Sequence, residues 1–186
     1  MDWEERLRPQ LREGDLKGCE RQITEALLKL DETPFHLAIS LDITNDPSGA
    51  ADYLDRFWSH EISRGPVATI YAEMNRFEIN CDRWFFDVFA YSQHGGHDDY
   101  DWLAHWQSET FDDYTLEGLE PLQKVFASDA FGNDTYREAG SLASWLVLIR
   151  FQKFMGRATA RTERMNVPLL ATAHDEDFIA EFRRKP

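Results

Sequence analysis

Trp84-Phe85-Phe86-Asp87-Val88-Phe89-Ala90-Tyr91 is the stretch on which the fold turns. Its aromatic residues and Val88 suit a pleated strand. On a period of two, one face carries Trp84, Phe86, Val88 and Ala90, and the other carries Phe85, Asp87, Phe89 and Tyr91. Both faces are largely apolar, as in a central strand covered on two sides, and Asp87 is the exception. Upstream, Val67 to about Ile79 reads as a second strand, bent near Asn75. The short connection Asn80-Cys81-Asp82-Arg83 holds turn-forming residues, so the two strands are expected to form an antiparallel hairpin.

Helices are expected before this hairpin. Trp3, Leu7 and Leu11 share one face of a helix over residues 2–13, although Pro9 removes a donor within it. Asp15 is a candidate cap for a second helix over about Leu16–Leu30, with Ile23, Leu27, Leu28 and Leu30 as its apolar stripe. Phe35, Leu37, Ile39, Leu41 and Ile43 then alternate with His36, Ala38, Ser40 and Asp42, which predicts a strand with His36 on its wetter face. Asp46-Pro47 opens another helix carrying Ala50, Leu54, Phe57, Trp58 and Ile62, and Gly65-Pro66 ends it.

Beyond the hairpin, Gly95-Gly96 marks a loop and Trp102 to about Gln107 a short strand, with Trp102, Ala104 and Trp106 on one face. Pro121 fits the first turn of a helix beginning near Glu120. After a break at Phe131-Gly132-Asn133-Asp134, a long helix runs from about Thr135 to Arg157, apolar almost all round from Leu142 to Phe151 and therefore buried. Were it to continue, Arg150, Lys153, Arg157, Arg161 and Arg164 would line up as one basic stripe. Val167–Ala171 reads as a strand and Glu176 to Arg184 as a last helix. The pattern predicts an α+β fold in a single domain spanning 1–186: a small, mainly antiparallel sheet of about four or five strands against helices, with the long buried helix near 135–157.

Composition narrows the function. Hydrophobic residues make up 42% and charged residues 29% of 186 positions, which suits a globular chain with its own core rather than a disordered one. A net charge of −14 repels phosphate backbones and anionic lipid, so neither nucleic acid nor membrane is expected as a partner. The longest strongly apolar run, Trp145 to Ile149, is far short of the ~20 residues of a membrane span. Met1-Asp2-Trp3-Glu4-Glu5-Arg6 has no apolar signal region, and Cys19 and Cys81 form no Cys-x-x-Cys pair. These features predict a bacterial-type cytoplasmic protein with reduced thiols.

One segment concentrates the acidity. Between Arg83 and Lys124 there is no Lys or Arg, and nine carboxylates lie there: Asp87, Asp98, Asp99, Asp101, Glu109, Asp112, Asp113, Glu117 and Glu120. Tyr91, Tyr100, Trp102, Trp106 and Tyr114 interleave with them. Rings anchor interfaces and carboxylates steer a cationic partner, so Asp98, Asp99, Tyr100, Asp101, Trp102, Trp106, Asp112 and Asp113 are the expected binding residues. The partner would be a basic protein, such as a toxin bound in the manner of bacterial immunity proteins, a likeness of charge and rings rather than of motif. The reading favours a non-enzymatic inhibitory module with no cofactor. The alternative is a metal-dependent hydrolase with ligands His94, His97, Asp101 and His105. Gly-x-Ser-x-Gly, His-Glu-x-x-His, P-loop and dinucleotide fingerprints are all lacking. A third expectation is a homo-oligomer, with basic stripe against acidic segment.

Overall fold

The computed structural model describes residues 3–75, 77, 82–176 and 178–184, and it is an α+β fold. Among the described residues there are six α-helices, α1 (Trp3–Arg12), α2 (Leu16–Leu27), α3 (Leu37–Ser40), α4 (Pro47–Ile62), α5 (Glu120–Phe126) and α6 (Arg137–Thr159). Five strands, β1 (Thr69–Met74), β2 (Phe85–Tyr91), β3 (Tyr114–Thr115), β4 (Leu169–Ala173) and β5 (Ala180–Phe182), form one sheet in the order β3-β2-β1-β4-β5. All neighbouring pairs are antiparallel except β1 with β4.

The two central strands pair antiparallel as expected, with Ile70 opposite Ala90 and Ala72 opposite Val88, but β1 spans Thr69–Met74 rather than Val67 to Ile79, and residues 76, 78 and 79 of that expected strand lie outside the described residues. One sheet face, with Ile70, Ala72, Met74, Phe86, Val88, Ala90, Leu169 and Ala171, belongs to the main core. That core includes Leu142, Leu146, Phe151 and Phe154 of α6, and α6 also packs on α2, α4 and β4. The 23 residues of α6 are buried on several sides, as the unbroken apolar run requires. Helix starts follow the sequence too: Asp15 accepts a hydrogen bond from the Gly18 N–H at 2.9 Å, and Asp46 from the Ser48 N–H at 2.9 Å ahead of Pro47.

Four expectations are corrected. Phe35–Ile43 is not a strand but a 3-10 turn, Pro34–His36, followed by α3. Thr33 caps this turn: its hydroxyl accepts from the Phe35 N–H, and its own N–H donates to His36 Nδ1 at 3.0 Å. His36 is therefore a half-buried capping group, and burial of Phe35 and Ala38 follows a period of three. Trp102–Gln107 is not a strand; Asp101–Ala104 is a 3-10 turn. The described residues between 176 and 184 form no helix, because Ala180–Phe182 pairs with β4 and Asp175 takes a left-handed turn conformation at φ 63°. The basic stripe does not form either. Helix α6 stops at Thr159, and Arg150 points inward, only 6% exposed. Of the expected hairpin connection, Asn80 and Cys81 lie outside the described residues. No helix among the described residues is long and apolar enough to cross a membrane.

Candidate functional site

The second sheet face is covered differently. Tyr71, Tyr91 and Leu170 make a small separate core, and Phe89, Trp102, Leu103 and Ile179 pack against it. Among the described residues no helix longer than one turn contributes to this cluster; its cover is the segment after β2, folded back over the sheet, with Ile179 ahead of β5. The Tyr91 hydroxyl donates to the Leu103 carbonyl at 2.8 Å, and the Tyr91 and Trp102 rings meet edge to face at 5.0 Å. Gly95 lies against the indole so closely that a Cβ there would come within 2.2 Å of it.

The segment then returns along the edge of β2. The Gln107 N–H donates to the Ala90 carbonyl at 3.0 Å, and the Ser108 hydroxyl accepts from the Ala90 N–H at 3.0 Å. These bonds fix Trp106 against Phe89, with ring centroids 5.4 Å apart, while the indole stays 53% exposed. The two tryptophans expected to share a face thus divide: Trp102 turns in and Trp106 turns out.

Two residues along β2 from Phe89, and on its face, stands half-buried Asp87. Directly opposite on β1 is Glu73. Burial raises the Asp87 pKa, the charges of Asp113 and Glu73 raise it further, and Arg83 offsets them only in part. Glu73 is met by His174 at the start of the β4–β5 turn. The sequence marks Asp87 as the odd residue in an apolar strand, but nothing in it pairs Asp87 with Glu73.

Apart from Asp87 and the exposed Glu117, the nine carboxylates separate into two groups. Asp113 makes a two-pronged ion pair with Arg83, at 2.6 and 2.7 Å, and its pKa is lowered by that pairing. Glu109 pairs with Arg64 at 2.8 Å. Glu120 accepts from the Gly118 N–H. By contrast Asp98, Asp99, Asp101 and Asp112 are exposed, and among the described residues they have no ion-pair partner. Tyr100 is half-buried and lines a cleft that it shares with His97 and Glu181.

Beside these carboxylates, His94 and His97 come together, and the third group is Glu181 of β5. Both Nε2 atoms donate to the same oxygen, Glu181 Oε2, at 3.0 Å from His94 and 2.9 Å from His97. The other oxygen, Oε1, accepts from Arg183 at 2.7 Å. Burial pushes the Glu181 pKa up, but the His94 and Arg183 hydrogen bonds outweigh it and hold the pKa below the ordinary range. His94 Nδ1 accepts from the Gly96 N–H at 3.0 Å, and His97 Nδ1 lies 3.3 Å from the Tyr100 hydroxyl. Asp101 and His105 are not part of this group. The cluster sits at a cleft of about 690 Å³, whose walls include Arg8, Glu13, Tyr100 and Ile179. Glu181 is 84 positions from His97, so no local spacing could have proposed it.

Comparisons of the chain with protein-family models, with curated proteins and with solved structures give no match.

Proposed function

We propose that this chain is a cytoplasmic, non-enzymatic binding module for a basic protein partner, which it recognises through the segment that folds back over the second sheet face. The observation that carries the reading is Trp106: a large ring held rigid on Phe89, half exposed, on a sheet face whose Glu73 and Asp87 repel one another. A lysine or arginine entering there would find an aromatic surface and, in Asp87, a carboxylate that gains by meeting a cation, beside a Glu73 already met by His174. Exposed Asp98, Asp99, Asp101 and Asp112 supply the outer field that would steer such a partner inward. Asp113 and Glu109, already matched by Arg83 and Arg64, act as supports of the segment rather than as contacts. A reducing compartment suits Cys19, which is buried and free, with its thiol pKa pushed up to about 11 chiefly by burial.

The test uses a lysine-rich peptide as probe, titrated into the protein across a salt series with tryptophan emission as the signal. Trp106→Ala is expected to cost ~2 kcal/mol of binding or more and to remove most of the emission change. Replacing Asp98, Asp99 and Asp101 together by Asn is expected to flatten the salt dependence. Binding that survives both changes, or that ignores salt, would overturn the assignment.

A further inference from the structure

The geometry points to a second site, on the same loop but argued without the basic-partner reading: His94, His97 and Glu181 bind a divalent transition-metal ion of the zinc class. Two imidazole nitrogens and a carboxylate oxygen converge from two separate parts of the chain, with donor atoms within 4.8 Å of one another. This nitrogen-rich, borderline-soft set suits Zn²⁺, Co²⁺ or Ni²⁺ and is a poor match for Mg²⁺ or Ca²⁺, which take mostly oxygen. Metal–ligand bonds of about 2.0–2.2 Å in a tetrahedron place the donors roughly 3.3–3.5 Å apart, so the spacings at Glu181 Oε2 need open by only a few tenths of an ångström. With three protein donors, the remaining position would face the cleft beside His97 and Tyr100.

The groups behind the donors fit the same reading. Arg183 occupies Glu181 Oε1 and leaves Oε2 for the ion, which orients the carboxylate to bind through one oxygen. The Tyr100 hydroxyl can accept the His97 Nδ1–H that appears once Nε2 binds metal. His94 is the point of resistance. Its Nδ1 now accepts from the Gly96 N–H, and when Nε2 takes a metal the ring proton moves to Nδ1, where the two N–H groups would face each other. The peptide joining Gly95 to Gly96 must then turn. Glycine at both positions permits this, and Gly96 already sits at φ 92°. Because Gly95 lies against the Trp102 indole, the turn should reach Trp102 and register in its emission. The ion would thereby tie the loop after β2 to β5 more firmly than the paired hydrogen bonds do.

Isothermal titration of the full chain with Zn²⁺, and absorption spectra with Co²⁺, test the site. One ion per chain is expected, with visible Co²⁺ bands of a nitrogen and oxygen donor set and a change in Trp102 emission that Trp102→Phe abolishes. His97→Ala and Glu181→Gln should each weaken binding more than the roughly tenfold expected for loss of a supporting group, as in Tyr100→Phe. His105→Ala should leave the affinity unchanged. His97 is half exposed, so its variant is expected to fold, and circular dichroism without metal checks this. Should Glu181→Gln unfold, His97→Ala decides the matter alone. Absence of stoichiometric binding, or binding that survives His97→Ala, would show that the cluster is a hydrogen-bonded clamp and nothing more.

Discussion

At Asp87, local strain in charge and the proposed contact surface coincide. Its carboxylate is half-buried, faces Glu73 across the hairpin and has Asp113 nearby, with Arg83 the cation that partly offsets them. Like charges directly opposite on paired strands are destabilising by up to about 1 kcal/mol. Because the folded-state pKa is raised above the unfolded value, the folded protein holds the proton more tightly. The associated stability is therefore present below the unfolded pKa and is lost as pH rises through the folded one. Asp87→Asn carries no charge and keeps that stability at every pH. The expected outcome is a variant more stable than the parent at neutral pH, by up to about 1 kcal/mol, with the difference closing as the pH falls below the carboxylate range. Urea unfolding at a series of pH values measures it. The same variant should bind the lysine-rich probe less well, which would make Asp87 a residue kept for contact at a cost in stability.

Among elements, the turn after α6 shows how much depends on one side chain of α4. Asp55, 8% exposed, accepts from three successive backbone N–H groups: Glu163 at 2.7 Å, Arg164 at 3.0 Å and Met165 at 2.7 Å. These bonds bring the chain from α6 into β4, the strand beside β1. Asp55→Ala would leave the buried Met165 N–H unmatched, at about 1–3 kcal/mol, together with two partly buried donors, and should lower the melting temperature without changing the secondary-structure content of the remaining folded protein. Asp55→Asn should fall between, since its amide keeps one acceptor oxygen. None of this was legible in the sequence, where Asp55 reads as one more polar residue on a helix. What was legible rests on local signals: the apolar run of α6, the two-sided strand β2, and the Asp15 and Asp46 caps. What misled was alternation without a strand partner. Phe35–Ile43 alternates, but the capped Thr33-Pro34 start commits it to a helical turn. Conversely, Ala180–Phe182 is a strand because β4 offers it an edge, and the ring of Phe182 fits against Gly156 of α6, where a Cβ would come within 2.9 Å of it. Glu181 reaches the histidines only through that pairing, so the candidate metal site became visible only with the fold.

For the molecule as a whole, the two faces of the sheet divide the work: helices cover one, and a folded-back loop with its acids and histidines covers the other. The helical side depends on Arg150. From α6 it donates to Glu20 of α2 at 2.9 Å, to the Ile39 carbonyl at 3.2 Å and to the carbonyls of Ala38 and Leu41, which the short helix α3 leaves unpaired at its end. Lys153, one turn on, also bonds Glu20. Burial pushes the Glu20 pKa up, but its bonds to Lys153 and Arg150 outweigh this and lower it. That lowered value contributes stability above the unfolded pKa of Glu20 and loses it as pH falls through the folded one. Arg150→Met should cost about 1–3 kcal/mol or somewhat more, since it strands the buried Ala38 carbonyl and its neighbours while Glu20 keeps its bond to Lys153. It should also weaken the acid-side slope in stability that Glu20 supplies. Arg150→Lys retains the charge but not the planar fork that meets several acceptors at once, so only part of the loss should be recovered. Thermal unfolding across pH reads both effects. If Arg150→Met kept its stability, α3 would be held by packing alone, through Phe35 against Phe126, Phe131 and the close approach of Gly140. A large loss, with probe and metal binding intact in the fraction that remains folded, would instead establish that the charges on the helical face serve the fold and that the open face is free to serve a ligand.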